Sequence, residues 1–194
     1  IVCTPSNKQS DVTSVGPVLT EWIARTQGST PEIRARRQSG LLWAITMFDM
    51  RIGNSLDMGE DLLQIAWGNS GMMKMAMLER FGQYAWMQEW VPGKPFNNTF
   101  LVRKPRMKVA FLDLENGEEK AVNAAMKPQL ELMQRTFAAD DTVREHVHEP
   151  AAAWDAMMAL NDGGMGSVTD YLQKVALRSV KLERIGEQMD DLVH

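Results

Sequence analysis

Along most of the chain, apolar residues recur at three- and four-residue steps, the signature of amphipathic helices. Val18, Leu19, Trp22 and Ile23 share one face of a short helix opened by Gly16-Pro17. Gly28-Ser29-Thr30-Pro31 stops that helix and starts another. Thr30 suits an N-cap, Pro31 the first helical position and Glu32 the positive end of the helix dipole. The spacing of Ile33, Leu41, Leu42, Ile45, Phe48 and Ile52 predicts a helix running to about Ile52, ended by Gly53-Asn54-Ser55. Further helices are expected from Leu56 to Trp67 and from Met72 to about Trp90, with Gly68-Asn69-Ser70-Gly71 between them.

The helical period fails from Lys94 to Arg106, a stretch rich in proline, asparagine and bases. It reads as a linker. Residues 107–115 alternate and precede Asn116-Gly117, a strong hairpin signal. A short hairpin and a helix both remain open readings for residues 100–122. Helical patterns resume over Glu119–Ala138, bent or split at Pro128, then over Asp141–His148 and Pro150–Asn161. Ser167 would cap a last helix whose Val168, Tyr171, Leu172, Val175, Leu182, Ile185 and Met189 are spaced for one buried face. The fold class expected is mainly α: two small helical subdomains joined by a Pro-rich linker, with a short β-hairpin near it as one of the two open readings. The expected boundaries are a polar leader at 1–12, an N-terminal helical domain at 13–92, a basic linker at 93–108 and an acidic C-terminal helical domain at 109–194.

Charge sharpens that division. The net charge of −4 over 194 residues hides a first half (1–108) at +4 and a second half at −8. Such asymmetry points to charge-driven partners. Cys3 is the one cysteine, no signal-peptide pattern opens the sequence, and no apolar run reaches the roughly 18 residues of a membrane span. An intracellular, cytoplasmic setting is therefore expected.

Catalytic and metal chemistry find little footing. Neither a phosphate-binding glycine loop nor GxSxG is present, and Cys3 lies in the leader, away from His146, His148 and His194. His146 and His148 would diverge on a helix and lack a third ligand, so they read as a surface turn. Asp49, Asp57, Glu60 and Asp61 miss the EF-hand spacing. The expectation is a non-enzyme without metal or cofactor. Two basic clusters, Arg34, Arg36 and Arg37, and Arg103, Lys104, Arg106 and Lys108, are candidates for phosphate or lipid contact; a solvated face is the alternative. The 15 methionines and six tryptophans fit either core or an adaptable interface. Met72, Met75, Trp86 and Trp90 are the candidates for self-association.

The stretch Ser39 to Gly53 (Ser-Gly-Leu-Leu-Trp-Ala-Ile-Thr-Met-Phe-Asp-Met-Arg-Ile-Gly) resembles the apolar, Met-containing helix of influenza-type (orthomyxovirus) matrix proteins. That resemblance implies a non-enzymatic, self-assembling layer inside a virion, linking anionic membrane to ribonucleoprotein in the host cytoplasm. Its partners would be other copies of itself, an anionic membrane surface and RNA. An RNA-coating nucleocapsid protein and a cytosolic helical adaptor with a Met-rich groove are the alternatives.

Overall fold

Trp43-Ala44-Ile45-Thr46 has no polar face to turn toward water: its first three residues are buried. A strand of this kind belongs in a parallel sheet covered on both sides. In the computed structural model, which describes residues 1–7 and 15–177 together with 182, 185, 186 and 189, this run is the middle strand of three. β1 (Val2–Pro5), β2 (Trp43–Thr46) and β3 (Thr99–Leu101) pair in parallel in that order. Val2 lies opposite Trp43 and Trp43 opposite Thr99. Parallel strands need long crossovers, and helices supply both. α1 (Val15–Thr26) and α2 (Pro31–Ala35) lie between β1 and β2. Between β2 and β3 come α3 (Phe48–Gly53), α4 (Glu60–Trp67), α5 (Gly71–Met73), a π-helical turn (Lys74–Leu78), α6 (Glu79–Phe81) and α7 (Ala85–Gln88).

The mainly helical expectation is thus corrected to a mixed α/β fold. The helix begun at Thr30-Pro31 stops at Ala35, although Thr30 accepts from the Ile33 N–H as its cap role requires. β1 lies in the segment read as a loose leader, and β3 lies in the segment read as a linker. The hairpin does form: β4 (Leu112–Glu115) and β5 (Glu118–Val122) are antiparallel around Asn116 and Gly117, whose φ angles of 52° and 80° suit the tight turn. A short 3₁₀ turn (Ala124–Met126) leads into α8 (Lys127–Ala139), where Pro128 sits at the start and neither bends nor splits the helix. α9 (Asp141–His146), α10 (Pro150–Met158) and α11 (Met165–Val175) follow.

The two expected subdomains share one core. Trp43 is fully buried, with Phe81, Trp86 and Phe96 at ring distances of 4.8, 6.3 and 6.4 Å. Trp67 of the first half packs edge-on to Trp154 of the second at 5.5 Å, and Phe137 lies 5.8 Å from Trp154. Leu19 of α1 and Met157 of α10 belong to the same continuous apolar cluster. Asp140 adds a polar tie, capping α9 through Thr142 and Val143 N–H while accepting from Ser70 N–H at 2.6 Å. The described residues form one domain. A smaller cluster of Leu42, Phe100, Val168 and Tyr171 seats α11. The expected continuous buried face does not extend along the C-terminal segment: Leu172, Leu182, Ile185 and Met189 are exposed.

Candidate functional site

The chain leaves β2 at its carboxyl end through Met47, a left-handed residue with φ 64°. Such a conformation costs a non-glycine residue of the order of 1–3 kcal/mol unless its surroundings hold it. Here Ser6 Oγ donates to the Met47 carbonyl at 3.1 Å, and the N–H groups of Met50 and Arg51 donate to it at 3.1 and 3.2 Å. The turn therefore passes directly into α3. Arg51 anchors that helix from beneath, donating to the carbonyls of Ser6 and Ala66 and lying 5.1 Å above the Trp67 ring. Burial lowers its pKa to about 10. Its Nε is the one buried side-chain polar atom among the described residues without a hydrogen-bond partner.

The exit of β3 lies alongside. Val102 N–H donates to Ile45 O at 2.8 Å, and Lys104 N–H donates to Asp49 Oδ1 at 3.1 Å. α11 closes a third side, because Gly163 and Gly164 bring the chain against β3. A Cβ on either would stand 2.6 Å from Arg103 O or 2.1 Å from Leu101 O, and both glycines have positive φ. Between these walls is a cleft of about 470 Å³. Methionines 47, 50, 107 and 165 line it with Val102 and Pro105, and Thr46, Asp49 and Lys104 supply its polar edge. All four methionines are exposed, and Asp49 is buried. Clefts at other places, by α8 and α10 and by α7, hold about 330 Å³ each.

Arg103 supports this cleft from behind. Its guanidinium turns inward to meet Glu119 in a two-pronged ion pair at 2.6 and 2.7 Å, and it donates to the carbonyls of Met157 and Ala159. Glu119 also accepts from the N–H groups of Arg106 and Asn161, each at 2.6 Å. Burial pushes the Glu119 carboxyl upward. Arg103 and the two backbone donors outweigh that push and hold it below the usual carboxylate range. A buried pair satisfied this fully offers no charge to an outside phosphate.

Arg34 is equally committed. It donates to Trp90 O, Gly28 O and Glu89 O at 2.7–2.9 Å, with Trp90 beneath its guanidinium at 5.2 Å. Each basic cluster thus gives one arginine to the interior, because carbonyls or a carboxylate await it there. Arg36, Lys104, Arg106 and Lys108 are exposed and Arg37 is half-buried; Arg106 also pairs with Glu118 at 3.3 Å. Of the proposed self-association residues, Met72, Trp86 and Trp90 lie in the core and Met75 alone faces solvent. His146, read as part of a surface turn, is buried with Nδ1 2.7 Å from Phe96 O. His148 packs between the rings of Phe100 and Tyr171. Burial lowers the pKa of both imidazoles. Among the described residues no group of three or more His, Cys, Asp or Glu is placed to hold a metal ion, and no helix is long and apolar enough to cross a membrane.

The cleft methionines and Asp49 were not singled out together in the sequence. A short buried strand followed at once by Met-x-x-Met is the available signal, and the helical spacing that runs from Pro31 to about Ile52, across Ser39–Gly53, masks it. Those residues form a loop, β2 and α3 instead, which removes the structural ground for the matrix-protein resemblance. Comparison with known proteins removes the rest: residues 1–194 match the family described as "Putative bacterial virulence factor". No curated protein and no solved structure matches the chain. The viral matrix role, with its nucleocapsid and adaptor alternatives, is replaced by that finding: over its full length the chain belongs to this bacterial virulence-factor family.

Proposed function

We propose that this chain is a binding module whose site is the methionine-lined cleft at the carboxyl ends of β2 and β3. The ligand is a small, mainly apolar molecule that presents a hydrogen-bond donor to Asp49. The observation carrying this reading is the coincidence of four exposed methionines and one buried carboxylate in a single cleft of about 470 Å³. Ligands of open α/β sheets bind outside the carboxyl ends of the strands. Small-molecule sites commonly enclose about 300–1,000 Å³, with mostly apolar walls and a few fixed polar groups. Unbranched thioethers adapt to a ligand's shape and pack well against flat rings.

Asp49 is suited to orient such a ligand, since Lys104 N–H fixes one of its oxygens. Binding without covalent chemistry is the reading adopted. Thr46, the hydroxyl of the lining, already donates to Thr4 O at 3.2 Å, and Asp49 Oδ1 already accepts from Lys104 N–H.

N-phenyl-1-naphthylamine, an apolar fluorophore with one N–H, is a suitable probe. The native protein should enhance its fluorescence saturably. Met50→Glu places a charge on an exposed wall position and should weaken binding roughly tenfold or more, about 1.4 kcal/mol, with circular dichroism unchanged. Equal affinity in the two proteins would remove the cleft from consideration.

A further inference from the structure

We infer that the cleft is also a modification site, at which a hydroperoxide converts Met47, Met50, Met107 and Met165 to sulfoxides and thereby closes the site to apolar ligands. The effect on binding rests on the reading above, whereas the modification rests on exposure. Six of the 15 methionines are exposed, and four of those six line this one cleft, at 36–45% exposure. By contrast Met72, Met73, Met77, Met87, Met133 and Met157 are 0–1% exposed in the core. Exposed thioethers have thus been gathered rather than scattered.

The reaction is self-contained once the peroxide is present. A sulfur lone pair attacks the outer peroxide oxygen, an S–O bond forms as the O–O bond breaks, and the departing oxygen takes the proton as water or an alcohol. Sulfur loses two electrons and the peroxide gains them. A flexible apolar wall becomes a polar one, and enzymes that reduce each sulfoxide epimer can reverse the change. The structure includes an internal control in Met75, which is 43% exposed on the π-helical turn and outside the cleft.

The test is a hydrogen peroxide time course on the whole chain, followed by peptide mass spectrometry and by N-phenyl-1-naphthylamine binding. The four cleft methionines should each gain one oxygen at least tenfold faster than Met72 or Met133. Probe affinity should fall at least tenfold and return after treatment with methionine sulfoxide reductases. With Met47→Leu, Met50→Leu, Met107→Leu and Met165→Leu combined, whatever probe affinity remains should not respond to peroxide, whereas Met75→Leu, outside the cleft, should leave both probe binding and its peroxide sensitivity unchanged. Cleft methionines that oxidise no faster than buried ones would overturn the proposal, as would an oxidised protein that binds the probe as before. If the probe never binds while the four sites oxidise selectively, the ligand reading fails and the modification site stands.

Discussion

Replacing Arg103 with methionine should destabilise the fold by about 3–5 kcal/mol, because it leaves a buried carboxylate without its cation. Glu119 is 3% exposed, and its partner holds both of its oxygens while pinning the C-terminal end of α10 through Met157 O and Ala159 O. Domains are stable by only about 5–15 kcal/mol. For this chain length each kilocalorie is worth about 2–4 °C, so the melting temperature should fall by about 6–20 °C. The variant should also respond differently to pH. In the native protein the Glu119 carboxyl lies below its unfolded value. Its stabilising contribution is present above the unfolded pKa and is lost as pH falls through the folded one. Without Arg103 the carboxyl loses its cation and a side-chain hydrogen bond, so its pKa should rise and the variant should lose less stability than the native protein as pH falls into the acid range. Arg103→Met combined with Glu119→Leu should recover much of the loss, since a buried pair exchanged whole for apolar groups is often near neutral. Thermal melts across pH check all three statements. A single variant as stable as the native protein would show that the pair is not buried as described.

Trp43→Ala should cost about 3–5 kcal/mol, the usual range for truncating a buried aromatic. Trp43 is 0% exposed at the centre of the sheet and packs against Phe81, Trp86 and Phe96. Its Nε1–H donates to Thr4 Oγ1 at 2.9 Å, a side-chain link from the middle strand to the edge strand. Trp43→Phe keeps most of the apolar volume and loses that donor, so it should fall between the two. Urea midpoints should rank native above Trp43→Phe above Trp43→Ala, with similar slopes if unfolding stays two-state. A small loss in the alanine variant would contradict the buried strand and favour the helix to about Ile52 that the apolar spacing predicts.

That last contrast shows where the sequence was legible and where it was not. Asn116-Gly117 announced its hairpin because turn chemistry is local, and Thr30-Pro31 announced a helix start for the same reason. The parallel sheet had no such marker. Its strands are three or four residues long, and strands buried on both faces lack alternation, so Leu41–Ile45 can be told from a buried helix segment only by context. The fate of the bases was hidden for a related reason. Arg34 finds its acceptors 55 and 56 residues away at Glu89 and Trp90, so only the assembled fold shows that its charge faces inward. The cleft depends most of all on assembly. Met47 comes from just past β2, Met50 from α3, Met107 from beyond β3 and Met165 from the start of α11, and nothing in their separate surroundings marks them as one wall.

The central claim is that these four methionines form one binding wall, and their own methyl groups report on it. With the methionine methyls carbon-13 labelled and assigned, N-phenyl-1-naphthylamine should shift the resonances of Met47, Met50, Met107 and Met165 along a common saturation curve. Met75 and the core methionines should stay in place. Saturating probe that leaves those four unmoved, or that moves chiefly Met158 beside α8 or Met87 of α7, would contradict the assignment of the site.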